Sequence, residues 1–164
     1  MKWLAPLAAL AILAACESTP DDKASTAGEG AAAASDNQSA SSSQIVPGSQ
    51  EDLAQNVGDR VFFEFDSSVL SPEARQTLEG QAAWLKRFPN VKLVVEGHCD
   101  ERGTREYNLA LGERRASAAK TYLTALGVED ARLTTISYGK ERPFALGHDE
   151  DAWSQNRRSV SIVQ

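Results

Sequence analysis

Residues 17–50 constrain the fold more than any other part of this 164-residue chain. Ser, Ala, Gly, Asp, Glu and Gln dominate them, aromatic residues are absent, and Ile45 and Val46 are the only branched aliphatics. A segment so poor in apolar surface cannot offset the entropy lost on ordering it. It is expected to be a disordered linker, about 30 Å end to end as a flexible coil and ~110 Å when stretched. Folding is then confined to one domain, expected at residues 51–164, which is an ordinary domain size.

The first residues read differently. Lys2 precedes a short apolar run from Trp3 to Ala15. The run falls short of the ~20 apolar residues a spanning helix needs, so residues 1–15 are expected to be an export signal. Leu13-Ala14-Ala15-Cys16 resembles the lipobox of bacterial lipoproteins. That resemblance implies lipidation at Cys16, removal of the residues before it, and anchoring to a membrane without a spanning helix. Glu17 follows the cysteine where an Asp favours inner-membrane retention, so the implied destination is the outer membrane, with the folded domain facing the periplasm. Cys99, the other cysteine, is left without a partner.

Within the domain, Arg60–Phe65 reads as a strand. Ser71-Pro72-Glu73 supplies an N-cap, a first-position proline and a first-turn acid for a helix running to about Phe88. Val91–Glu96 alternates and reads as a second strand, with Leu93 and Val95 on one face. Ala110, Leu111, Ala118, Ala119, Tyr122 and Leu126 recur at helical spacing across a second helix, Glu106–Leu126, which Gly127 closes. Leu133–Tyr138 is a third strand, residues 140–155 an irregular stretch, and Arg158–Val163 the last strand. The predicted class is α+β: strand–helix–strand–helix–strand–strand, two main helices on one face of a small mixed sheet.

Chemistry concentrates in Val95–Arg115, VEGHCDERGTREYNLALGERR. A strand end, a Gly turn and a helix rich in Asn and Arg bring an acid, Asp100, close to a guanidinium, Arg115. Arg115 presents a planar fork suited to a carboxylate, Asp100 accepts from an ammonium, and Asn108 can do either. That combination suits a ligand carrying both groups. Blander alternatives are Asp100 as a cap of the loop and Arg115 as a surface partner of Glu101, Glu106 or Glu113. His98 and Cys99 are neighbours on extended chain and point to opposite faces, which disfavours a nucleophile and its base. His98 reads as a structural histidine, a metal pair with His148 lacks a third ligand, and Trp153 is open to a partner contact. From Glu51 onward fifteen Lys and Arg face eighteen Asp and Glu, part of a formal net charge of −6, which argues against nucleic acid.

Five ordered blocks carry a resemblance: FEFDSS (63–68), VEGHCDERGTREYN (95–108), LGERRA (111–116), SYGKERP (137–143) and NRRSV (156–160). Over residues 61–163 the chain resembles the OmpA-like peptidoglycan-binding domain family, most closely its lipoprotein branch in the Tol system. The resemblance implies non-covalent binding of the peptidoglycan stem peptide through diaminopimelate, with Asp100 and Arg115 as main contacts. Asn108, Asn156, Arg157, Phe65 and Asp66 match further family positions, and Gly103 and Leu111 complete the expected set. It also implies a monomeric, non-enzymatic domain without cofactor or metal that binds TolB and other Tol proteins, in envelope integrity and cell division. Cys99 departs from the Ala or Thr usual in the family. Rivals are a wall-binding lipoprotein outside the Tol system and a periplasmic hydrolase using His98, Cys99 and Asp100.

Overall fold

The computed structural model describes residues 45–164. The expected signal, the lipidation site Cys16 and the linker up to residue 44 lie outside the described residues. The elements run α1 (Gln50–Asn56), β1 (Arg60–Phe62), α2 (Pro72–Arg87), β2 (Leu93–His98), α3 (Arg105–Ala125), β3 (Leu133–Gly139), α4 (Glu150–Asn156) and β4 (Arg158–Val163), with a 3-10 turn at Asp130–Arg132. The strands form one mixed sheet in the order β1-β4-β2-β3. β2 and β3 are parallel, and β4 is antiparallel to both β1 and β2. This is the predicted α+β class.

The two long helices start and stop for local reasons. Ser71 accepts from the Ala74 amide at 3.1 Å and Pro72 opens α2, while Thr104 accepts from the Tyr107 amide at 3.2 Å to open α3. Gly127, at φ +92°, lets the chain turn out of α3. Leu78, Ala82 and Leu85 of α2 and Ala116, Ala119 and Leu123 of α3 pack on Val61, Leu93, Val95 and Leu133 of the sheet as one core.

Two short helices depart from the sequence reading. α1 begins at Gln50, inside the expected linker boundary, and Ser49 caps it. Its Leu53 is fully buried, and its Asp52 accepts from the Trp84 indole at 2.9 Å and the Gly48 amide at 2.8 Å. α4 forms within the stretch read as irregular, capped by Asp149. Both take their stability from partners far along the chain, which local pattern does not reveal. β1 is also shorter than expected, ending at Phe62, and β2 runs on to His98.

The sheet has two distinct ends. β1, β2 and β3 run one way, so their carboxyl ends gather beside the start of β4. At the opposite end Gln50 of α1 accepts from the Val163 amide at 2.8 Å, where β4 finishes, and Gly48 lies against Phe88. The chain therefore enters the domain at the pole away from the β2–α3 loop. No helix among the described residues is long and apolar enough to cross a membrane.

Candidate functional site

The β2–α3 connection is set by a close crossing. A Cβ on Gly97 would lie 1.8 Å from the Gly112 carbonyl oxygen, and one on Gly112 would lie 2.3 Å from Ser137 Oγ. Two glycines thus let α3 lie directly on β2. The loop between them is held by its own polar groups. Asp100 Oδ1 accepts from the Arg102 amide at 3.1 Å, Gly103 turns at φ +91°, and Asn108 Nδ2 donates to the carbonyls of Arg102 (2.8 Å) and Thr104 (3.1 Å). Both donors of the Asn108 amide are used, while its Oδ1 accepts no hydrogen bond among the described residues.

Arg115 sits two turns further along α3 and is fully buried. Its Nε donates to the Ser67 carbonyl at 2.8 Å, Nη1 to that of His98 at 2.8 Å, and Nη2 to that of Glu64 at 3.1 Å. The surface ion-pair alternative is therefore wrong for Arg115. It locks the β1–α2 loop onto the end of β2; these bonds use three of its five N–H groups, and the Cys99 thiol lies beside the guanidinium. Burial lowers its pKa.

These elements enclose a cleft of about 150 Å³. Phe65, Asp66, Asp100, Gly103, Asn108, Leu111 and Arg115 line it, together with Cys99, Arg102 and Tyr107. Seven of the nine residues predicted for the site are thus brought together. The other two are not in the cleft. Asn156 clamps the stretch before α4, its Oδ1 accepting from the amides of Phe144 (2.7 Å) and Ala145 (3.0 Å). Arg157 stands behind the cleft, with Nε on the Phe63 carbonyl at 3.0 Å, Nη1 3.5 Å from Asp100 Oδ2, and Nη2 on Glu150. It lines a larger neighbouring groove of about 570 Å³ with Phe62, Glu64 and Val69.

Charge in the cleft is closely managed. Burial pushes the Asp100 carboxyl upward, but hydrogen bonds from the Arg102 side chain and amide, with the nearby guanidinium charge and Arg157, outweigh it and hold the group below its ordinary value. Asp100 is ionised and caps the loop, as the blander sequence reading has it, and its carboxylate faces the cleft. Asp66 adopts a left-handed backbone at φ +53° and accepts from the Tyr107 hydroxyl, closing one rim. The arrangement offers a fixed carboxylate, the guanidinium N–H groups of Arg115 beyond its three carbonyl bonds, one amide acceptor and the apolar faces of Leu111 and Phe65. It suits a small zwitterionic group.

It offers no nucleophile with its base. His98 is buried and its Nε2 lies 3.3 Å from Glu96, whereas Cys99 Sγ donates to the Asn108 carbonyl at 3.3 Å. Burial, then the nearby Arg158 charge, lowers the His98 pKa to about 4, and burial raises that of the Cys99 thiol. Sequence reasoning missed Arg102 and Tyr107 as wall residues, and it left Trp153 open to a partner contact without foreseeing that its ring lies 4.1 Å from the Arg102 guanidinium carbon. The D-x-R spacing of Asp100 and Arg102 was the available signal for the first.

The sequence profile of the OmpA family matches residues 62–157. A peptidoglycan-associated lipoprotein of Agrobacterium fabrum is 57% identical over 118 residues, covering 72% of this chain and 67% of that protein. One from Mesorhizobium japonicum is 50% identical over 159 residues, covering 96% of this chain and 88% of that protein. Among solved structures, the peptidoglycan-associated lipoprotein of Burkholderia pseudomallei superposes with a TM-score of 0.63 at 46% identity, over 65% of this chain and 90% of that one.

Proposed function

The chain belongs to the OmpA family, among the peptidoglycan-associated lipoproteins, and on that premise we propose that it binds peptidoglycan non-covalently and does not cleave it. The ligand is the diaminopimelate of the stem peptide, whose tip carries an ammonium and a carboxylate on one carbon. The observation that carries this reading is the convergence of Asp100, Asn108, Leu111 and Arg115 in one small cleft. The N–H groups of Arg115 beyond its three carbonyl bonds take the carboxylate, and Asp100 with Asn108 Oδ1 takes the ammonium. Charge-assisted bonds of ~1.5–3 kcal/mol each support micromolar-type binding, about 8 kcal/mol. Repeated stems along a polymer raise the effective concentration at each site.

The lipid on Cys16 would hold the other end of the chain in the outer membrane, with residues 17–44 as the tether. The domain would also bind TolB and act with the other Tol proteins in envelope integrity and cell division. Resemblance to the lipoprotein branch supports these roles.

Sedimentation with isolated peptidoglycan tests the central reading. Wild-type chain is expected in the pellet, and Arg115→Ala and Asn108→Ala chains in the supernatant. Co-sedimentation of both variants at wild-type levels would refute the assignment. Muropeptides incubated with the chain should keep their masses. A pull-down with TolB separates the Tol role from wall binding alone.

A further inference from the structure

Asp100 has no acceptor position to spare. A carboxylate offers about four lone-pair sites. Oδ1 accepts from the Arg102 amide at 3.1 Å and from Arg102 Nε at 3.2 Å. Oδ2 accepts from Arg102 Nη2 at 2.6 Å and from Arg157 Nη1 at 3.5 Å. Three of the four donors belong to Arg102.

Arg102 is not a loose surface arm. Its guanidinium carbon lies 4.0 Å from the Phe65 ring centre and 4.1 Å from that of Trp153, so two aromatic faces grip it. Trp153 is itself pinned, because its Nε1 donates to Glu101 Oε1 at 2.9 Å. The same carboxylate accepts from His148 Nδ1 at 2.8 Å. An ammonium arriving at Asp100 therefore meets a cation already in place and held from both sides.

We propose that Arg102, gripped between Phe65 and Trp153, is a resident counter-cation that the ligand's ammonium displaces from Asp100, and that Trp153 is the positioning residue that sets how firmly it resists. This rests on the reading that the cleft takes a zwitterionic tip, and it supplies that reading with a source of specificity. A displaced Arg102 needs a new anionic partner. A diaminopimelate tip brings one along with the ammonium, because the carboxylate held by Arg115 has about four lone-pair sites and can also accept from Arg102. A lysine tip brings only the ammonium and leaves the guanidinium with Glu150 alone, whose Oε2 is 3.9 Å from Arg102 Nη2 and whose other oxygen is already bonded to Arg157. The exchange therefore admits the zwitterion and rejects the simple amine, although both could reach Asp100.

Calorimetric titration of the full chain with stem tripeptides ending in diaminopimelate or in lysine tests this. Wild type is expected to prefer diaminopimelate. Arg102→Met, which keeps the stem and removes the charge, should tighten lysine-tripeptide binding by about tenfold, the scale of one charge-assisted bond. Trp153→Ala should tighten it by about threefold, the scale of one exposed cation–π contact. An unchanged preference in both variants, or weaker lysine binding in Arg102→Met, overturns the proposal. If the wild-type lysine complex is too weak to measure, appearance of measurable binding in the variants supports it, and continued absence overturns it. Failure of wild type to bind the diaminopimelate tripeptide would instead remove the proposed function beneath it.

Discussion

The two halves of α3 are buried to the same depth with opposite chemistry. The second half places Ala116, Ala119 and Leu123 against Leu93 and Leu133, in the same core as Leu53 and Trp84. The first half buries Asn108 and Arg115 beside Asp100. Apolar burial contributes about 25 cal/mol per Å² without further conditions. Polar burial costs free energy unless every group finds a partner. In the first half those partners are backbone carbonyls gathered from two separate loops, so the site and the local fold are one structure. The lesson is that depth of burial does not separate scaffold from site here, whereas the partners of the buried groups do.

Arg115→Ala strikes this contrast hardest. It strips donors from three backbone carbonyls at once, and each buried acceptor left unpaired costs ~1–3 kcal/mol. Loss of about 4 kcal/mol in denaturant unfolding is expected, together with loss of wall binding. Arg115→Lys should recover part of the stability and little of the binding, because a single ammonium cannot point three ways. Leu123→Ala, in the apolar half, should cost ~2–5 kcal/mol by leaving a cavity. The dissociation constant of the folded protein should change by less than about twofold, on the additivity expected of separated sites. Weakened binding in Leu123→Ala equal to that in Arg115→Ala would erase the distinction between the halves.

A smaller effect comes from His98, which is buried beside Tyr138 at the end of β2. His98 is held neutral with a pKa of about 4, below its unfolded value. The unfolded chain therefore binds more protons in between, and stability must fall as pH drops from about 6.5 to about 4, by on the order of 2–3 kcal/mol. Melting curves across that window should show a slope that His98→Gln flattens. Tyr107→Phe is expected to matter least. It removes one exposed hydrogen bond to Asp66 and should weaken binding by a few-fold at most, about 0.5 kcal/mol, as read by titration with stem peptide.

Much of this was legible in the sequence. The boundaries of α2 and α3 follow from Ser71, Pro72 and Gly127, and the 95–115 stretch pointed to the cleft because a strand end, a Gly turn and a helix rich in Asn and Arg bring an acid and a guanidinium together. Three things were hidden. The phase of α3 was partly misread: Ala110 is exposed and Ala118 half-buried, while Asn108, Gly112 and Arg115 occupy the inward stripe. Polarity at those positions disguises burial, because the satisfying carbonyls lie elsewhere in the chain. α1 and α4 are seven residues each and carry little apolar content of their own. Arg157 was assigned to the cleft, yet it braces Asp100 from behind, since its Nε is committed to the Phe63 carbonyl.

The opposed poles of the sheet carry a mechanical consequence. If the entry at Gly48 is tugged by an anchor and the β2–α3 loop by its ligand, tension runs along the strand axes. The ladder bonds joining β4 to β1 and β2 lie across that direction. They must yield collectively in shear instead of peeling open in succession, so the domain resists rupture best along the line in which it would be strained.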